Sequence, residues 1–297
     1  MTNEFILHDR LTKIKSTVEK YGEENFFISY SGGKDSNVLD KLFDMALPNN
    51  KIPRVYCDTG IELNAVRDFV RDKAKNDDRF IIIQPKVPIK KMLEEVGYPF
   101  KSKAFSYEVS YLQNHKIKAT DLPENYWIRI RAEGRDSYGS HNVPKLLRYI
   151  YMDPSVVDFK ISDKCCKHLK VKPLNQWQKE NNKPCKVVGL MREEGGRRDE
   201  AKCMILSGEK LKAFQPLVVI TKEWEDWFIQ QYSIELPIVY YPPYSFRRTG
   251  CKGCPFNIKL DQDLNILKQY FPNEYKQCEI IWKPVYDEYR RIGYRLN

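Results

Sequence analysis

Phe26-Phe27-Ile28-Ser29-Tyr30-Ser31-Gly32-Gly33-Lys34-Asp35-Ser36 decides the fold of this chain. The run Phe26 to Tyr30 is short, aromatic and β-branched, which suits a buried parallel strand. From Ser36 onward Val38, Leu39, Leu42, Phe43 and Ala46 fall at helical spacing. Between strand and helix, two adjacent glycines permit backbone angles that turn successive amides toward one anion. The helix start adds unpaired amides and a partial positive charge. Lys34 supplies a full charge, while the oxygens of Asp35 and Ser36 suit a metal or a phosphate. An ordinary strand-to-helix turn would need none of this together. The stretch reads as a phosphate cradle.

The spacing is not that of the Walker loop, which places more residues between its glycines. Ser31-Gly32-Gly33-Lys34-Asp35-Ser36 instead resembles the PP-loop of the adenine nucleotide α-hydrolase superfamily. The resemblance implies that these six residues bind the phosphates of ATP or a related adenylate, with Lys34 and Asp35 at the catalytic centre.

Outward from the loop, residues 5–21 pattern as an amphipathic helix, and Arg54 to Cys57 as a second strand ending in Asp58-Thr59-Gly60. A helix is expected from Glu62 to Lys75, a strand from Phe80 to Gln84 and a helix from Ile89 to Val96. Lys186 to Leu190 returns as a buried strand, Leu217 to Ile220 is another short apolar run, and Glu223 to Gln231 is helical. Alternation at this spacing predicts an α/β fold with a doubly wound, mainly parallel sheet whose ligands sit beyond the carboxyl ends of the strands. Residues 97–163 fit the alternation poorly. They read as a helical insertion or lid, with helix candidates over 106–113 and 143–151. The expected organisation is an N-terminal helix (1–24), a PP-loop domain (25–258) and a Cys-containing C-terminal helical segment (259–297).

Apolar residues make up 42% of the 297 and aromatics 13%, which excludes a disordered chain. No stretch approaches a membrane span and the N-terminus lacks a signal-peptide pattern, so a cytoplasmic protein without a membrane partner is expected. In that compartment eight cysteines argue for metal or redox chemistry before disulfides. The formal charge of +10 suits polyphosphate, an anionic cluster or nucleic acid.

Cys165-Cys166 and Cys251-Lys252-Gly253-Cys254 form two close pairs that can meet on one tetrahedral metal or one cubane cluster. Adjacent cysteines are unusual for zinc, whose ligands are typically spaced by two to four residues. Lys164 to Leu174, together with Arg248-Thr249-Gly250-Cys251-Lys252-Gly253-Cys254-Pro255, resembles the two halves of the cluster motif in adenylylsulfate reductases. The resemblance implies a [4Fe-4S] cluster on Cys165, Cys166, Cys251 and Cys254, with zinc as the lesser alternative. Lys164, Lys167, Lys170, Arg248 and Lys252 would then offset its charge.

Other matches come in the same family's order. Asp58-Thr59-Gly60 is similar to the motif that lies near adenine and ribose in phosphoadenylylsulfate (PAPS) reductases. Gly189 to Arg198 is similar to an arginine loop in which Arg192, Arg197 and Arg198 would grip phosphate or sulfate. The chain is identified as PAPS reductase-like over about 26–256. It lacks that family's Glu-Cys-Gly-x-His nucleophile motif, and Cys278 sits in a helix-like, partly apolar context that suits core packing. Cys57 and Cys185 are expected in the core. Cys203 is expected to pack on a helix, with a persulfide as a minor alternative.

The resemblance therefore implies an ATP- and Mg2+-using enzyme that adenylates an acceptor, releases pyrophosphate and supports sulfur transfer. The implied acceptor is a nucleic acid, as in tRNA thiolation or DNA phosphorothioation, and the implied sulfur donor is one such as a cysteine desulfurase. The alternatives are a reductase of adenylylsulfate (APS) or PAPS giving sulfite, and a non-catalytic sensor of nucleotide and cluster.

Overall fold

The computed structural model describes residues 2–137, 139, 142–195 and 198–296, with Glu194 described by its backbone alone. In chain order the main elements are α1 (Asn3–Tyr21), β1 (Phe26–Tyr30), α2 (Lys34–Ala46), β2 (Arg54–Cys57), α3 (Asn64–Asn76) and β3 (Phe80–Ile83). Then come α4 (Ile89–Val96), α5 (Lys103–His115), α6 (Trp127–Glu133), α7 (Arg148–Met152), α8 (Lys172–Glu180), β4 (Cys185–Val187), β5 (Met204–Ser207) and β6 (Lys210–Phe214). The chain closes with α9 (Lys222–Gln231), α10 (Leu260–Tyr270), α11 (Pro272–Ile281) and α12 (Lys283–Arg291). It divides into two compact units, residues 1–86 with 170–249 and residues 87–169 with 250–297.

The first unit carries a six-stranded sheet in the order β3-β2-β1-β4-β6-β5, parallel except for the β5–β6 pair at one edge. The strand side chains alternate between faces. Phe26 and Ile28 join the core built with α1, α2 and α9. Phe27 points the other way and meets Trp177 of α8 at 5.3 Å between ring centres. The sheet is thus covered on both sides, as a parallel sheet requires, and the doubly wound α/β class expected from the alternation is what the chain adopts.

At the amino ends of the strands, the fully buried Arg54 bonds Asp40 at 2.8 Å, Asp44 at 2.6 Å and the Asn50 side chain at 2.7 Å. Arg79 bonds Asp44 at 2.7 Å and Asp77 at 2.6 Å. A buried guanidinium needs this many acceptors.

The second unit is helical, with a parallel bridge between Tyr98 and Ile161. Residues 97–163 contribute α5, α6 and α7, and the C-terminal residues contribute α10, α11 and α12. Its interior includes Phe100, Phe105, Tyr151 and Tyr289, all fully buried. Glu108 is buried among them and is bound by Arg131 and, at 2.5 Å, by the Tyr151 hydroxyl.

Candidate functional site

The loop after β1 lies at the carboxyl end of the parallel strands. There β1 is flanked by β2 on one side and β4 on the other, so the chain leaves in both directions from this point. A crevice forms where strand order reverses, and ligands of open α/β sheets bind there.

The loop is held from within. Gly32 has φ +74°, and a Cβ on it would stand 2.8 Å from methyls of both Val66 and Val70 on α3. Only glycine satisfies both the angle and the space. Asn37, one turn into α2 and 1% exposed, donates to the carbonyls of Gly32 at 3.1 Å and Gly33 at 2.9 Å. Its own carbonyl accepts from the Tyr30 hydroxyl at 2.6 Å. The Ser36 hydroxyl donates to the Gly33 carbonyl at 2.8 Å, and the Ser31 hydroxyl accepts from the Gly33 amide at 3.3 Å. With these carbonyls tied inward, the loop's remaining polarity is its amides and the start of α2. Ser36 therefore shapes the loop, whereas Ser31 stays exposed at its mouth.

Cations gather around this mouth. Lys34 Nζ lies 3.7 Å from Asp226 and 5.4 Å from the centre of the Tyr240 ring. Lys222, at the first turn of α9, lies 3.6 Å from Asp226 and also bonds Glu225. Burial, and then the neighbouring Lys34, press the Lys222 ammonium below its usual value. Burial, and then Arg248, likewise lower Arg198, while Asp35 works in the opposite sense. Cations that disfavour one another's charge beside a helix start are relieved by a polyanion. On the far side of the loop Gly189, just beyond β4, approaches so closely that a Cβ would stand 2.9 Å from the carbonyl oxygen of Asp35. The Tyr240 hydroxyl accepts from the Lys34 amide at 3.3 Å and shares a hydrogen bond with Thr249 at 2.5 Å.

Asp58, Thr59 and Gly60 follow β2 as expected, but their side chains are engaged. Asp58 is 5% exposed, pairs with Arg71 at 3.0 Å and accepts from the Gly60 amide at 3.1 Å. Thr59 donates its hydroxyl to Glu62 at 2.8 Å, and Lys170 meets Glu62 at 3.1 Å. Arg192 is exposed on a short 3-10 turn after β4, its Nε donating to the Ala201 carbonyl at 2.8 Å. Arg197 lies outside the described residues. Asn37, Tyr240, Thr249 and Lys222 are additions that the sequence reading did not make. Asn37 alone had a local signal, a polar residue on the buried face of an amphipathic helix.

The four candidate metal ligands all fall in the second unit. None of the chain's eight cysteines forms a disulfide. Cys165 is 5% exposed, and Cys166, Cys251 and Cys254 are half-buried. The Cys165 and Cys166 sulfurs stand 4.0 Å apart. The Cys165 thiol is pushed up first by its bond to Cys166, then by burial, then by Cys254 and Cys251. Cys165 thus feels each of the other three sulfurs. Among the described residues no three or more His, Cys, Asp or Glu side chains already stand closed on a metal position. In donor chemistry four thiols whose charges reach Cys165 suit a thiolate-bound metal or cluster.

The Cys251–Cys254 loop is held from outside. Trp282, just before α12, donates to the Lys252 carbonyl at 2.9 Å, Tyr286 to that of Gly253 at 2.5 Å, and Tyr289 to that of Pro255 at 3.1 Å. These three donors recur at helical spacing on one buried face. Gly253 has φ +61°, and a Cβ there would stand 2.4 Å from the Tyr286 oxygen and 2.8 Å from the Cys278 sulfur. Lys252 is buried and pairs with Glu274 at 3.0 Å. Lys252 and Lys170 are thus each paired with a carboxylate.

Cys57, Cys185 and Cys278 are buried, and burial pushes each thiol up to about 12. Cys203 packs against the sheet core from the bend before β5, not from a helix.

No family model matches the chain. A curated relative, an uncharacterized protein of Methanocaldococcus jannaschii, is 30% identical over 148 residues, covering 46% of this chain and 34% of the relative. The chain thus spans about a third of the length of the relative it matches. Among solved structures it is similar to the phosphate complex of phosphoadenylyl-sulfate reductase from Candida auris, with TM-score 0.38 and 12% identity over 77% of this chain and 88% of that one. It is also similar to the NH3-dependent NAD synthetase of Campylobacter jejuni, with TM-score 0.40 and 12% identity over 99% and 96%. A third similarity is to the U34-tRNA thiolase of Methanococcus maripaludis with its [4Fe-4S] cluster, with TM-score 0.38 and 14% identity over 99% and 80%. No helix among the described residues is long and apolar enough to cross a membrane.

Proposed function

We propose that the chain is a PP-loop enzyme of PAPS reductase-like type that binds ATP, adenylates an acceptor and supports sulfur transfer to it. One observation carries the nucleotide reading: a loop whose carbonyls are tied inward by Asn37 and Ser36, set beside Lys34, Lys222 and Arg198, whose neighbours include Lys34 and Arg248. In this reading the loop amides and Lys34 hold the pyrophosphate portion, and Asp35 holds Mg2+. Arg198 and Arg192 meet charge that builds on the α-phosphate as an acceptor oxygen attacks it and pyrophosphate leaves. The outer sulfur of a persulfide, delivered by a donor such as a cysteine desulfurase, then bonds to the activated centre as AMP leaves, and a thiol reductant cleaves the remaining S–S bond to free the thiolated acceptor. Cys165, Cys166, Cys251 and Cys254 would hold a [4Fe-4S] cluster, which would supply an iron to bind the incoming sulfur. The basic composition suits a nucleic-acid acceptor.

Sulfite formation from APS or PAPS is the competing chemistry, and it requires a reactive thiol. Cys278 does not supply one, being fully buried with its thiol raised to about 12. The test is anaerobic purification, iron and zinc analysis, and incubation with Mg2+ and ATP, APS or PAPS. Iron near four per chain, as a cubane requires, with pyrophosphate from ATP and a nucleic-acid acceptor supports the proposal. Zinc in place of iron removes the cluster, and sulfite from APS or PAPS overturns the adenylating reading.

A further inference from the structure

α5 has two unlike faces. Phe105, Ser106, Glu108, Val109 and Leu112 are buried and complete the helix's share of the core. Tyr107, Tyr111 and His115 recur every four residues on the outer side, one turn apart. α6 brings Trp127, preceded by Tyr126, against that row. The rings form a nearly continuous tiling. Tyr107 and Trp127 lie 6.5 Å apart at 14°, Tyr126 and Trp127 6.1 Å at 27°, and Tyr111 and Tyr126 6.4 Å at 19°. Planes so nearly parallel at such offsets leave much of each face open, and Tyr107 remains 53% and Trp127 42% exposed.

The charges around the tiling point one way. The carboxylate of α5, Glu108, is buried and taken by Arg131 and Tyr151. At the rim Glu133 is bound by Arg129 at 2.8 Å and Arg135 at 2.6 Å, Asp121 accepts the Lys118 amide at 2.7 Å, and Glu124 lies 3.9 Å from Arg129. Lys103 and Lys116, exposed at the two ends of the row, have no such partner among the described residues. Open aromatic faces flanked by uncommitted ammonium groups fit stacked bases with phosphates alongside.

We propose that the α5–α6 aromatic surface binds unpaired bases of a single-stranded nucleic acid, with Lys103 and Lys116 on its phosphates. The inference gives the proposed acceptor a docking surface and to that extent rests on the adenylation reading, but its chemistry is independent of ATP.

The test uses the intact, anaerobically purified chain without nucleotide. Fluorescence anisotropy is measured with labelled oligouridylate, oligothymidylate and a duplex, each of about twelve nucleotides, within the span of a stacking groove. Single strands should bind more tightly than duplex. Tyr107→Ala with Trp127→Ala should weaken single-strand binding about 10- to 100-fold, while Trp127→Phe keeps most of it. Tyr107→Leu, which keeps apolar cover without a ring face, should also lose affinity, separating stacking from folding. Lys103→Ala should lower the salt slope by about 1. Equal binding of duplex and single strand, or unchanged affinity in the alanine pair, overturns the proposal. So does a chain dimer that the alanine pair converts to monomer, which would assign the surface to a second copy. Absence of pyrophosphate from ATP would remove the adenylation chemistry and leave this binding result standing.

Discussion

The Gly32-Gly33 loop and the Cys251–Cys254 loop both make a tight turn, and they are rigidified in opposite ways. In the first unit the Gly32-Gly33 carbonyls are tied by Asn37 and Ser36, residues within five positions of them. In the second unit the carbonyls of Lys252, Gly253 and Pro255 are tied by Trp282, Tyr286 and Tyr289, some thirty residues downstream. The first loop's shape depends on side chains of its own helix, the second's on the packing of a distant one. The first arrangement is a property of a hexapeptide and its helix, the second a property of a unit.

The contrast can be broken by substitution, and the largest effect is expected at the chemical centre. Lys34→Ala should lower pyrophosphate release from ATP by about 10²- to 10³-fold, with the iron content unchanged; equal turnover would remove Lys34 from the reaction. Gly32→Ala should destabilise the first unit by about 3 kcal/mol, from backbone strain at positive φ together with the clash on Val66 and Val70. Gly60→Ala, also at positive φ but with open space around it, should cost less in the same denaturant titration. Asn37→Ala and Tyr286→Phe form a crossed pair. The first should weaken ATP binding and spare metal retention. The second should speed metal loss to a chelator and spare ATP binding, each costing about 1–2 kcal/mol. If both variants affect both readouts, the two loops are not separately braced.

A smaller effect concerns acid. Arg79 holds Asp77 below the usual carboxylate range. At Asp44 burial works upward, but Arg79 and Arg54 outweigh it and the carboxyl is also lowered. Depressed acids contribute stability in full above their unfolded values near 4, and it fades as pH falls through the folded ones. The first unit should therefore lose thermal stability below about pH 4, and Asp77→Asn should flatten that decline. Smallest of all, Cys278 should resist alkylation in the folded chain at mildly alkaline pH, since it is fully buried and burial pushes its thiol up to about 12.

Much of the first unit was legible because its signals are local. The strands over Phe26–Tyr30 and Arg54–Cys57 fall where hydrophobic period and turn residues placed them. β4 runs only from Cys185 to Val187, because the chain turns at Val188–Leu190 to bring Gly189 against Asp35. Leu217 to Ile220, read as an apolar run, coils into a 3-10 turn opened by Pro216. The β5–β6 hairpin went unseen, since Met204-Ile205-Leu206-Ser207 lies on an exposed edge and shows no clean alternation. At the site, the glycines, Lys34 and the cysteine pairs carry signals in adjacent residues. Tyr240, Thr249 and Lys222 do not, because folding alone brings them to the loop. For the same reason residues 97–163 and 259–297, read as separate segments, did not announce that they compact together.

β5 has one more consequence. It leaves Ile205 43% and Leu206 53% exposed at the end of the sheet, an invitation for a further strand to add on. The pairing shifts register between those two residues, so the rim they offer is kinked. Straightening that irregularity should make the chain more prone to associate edge to edge.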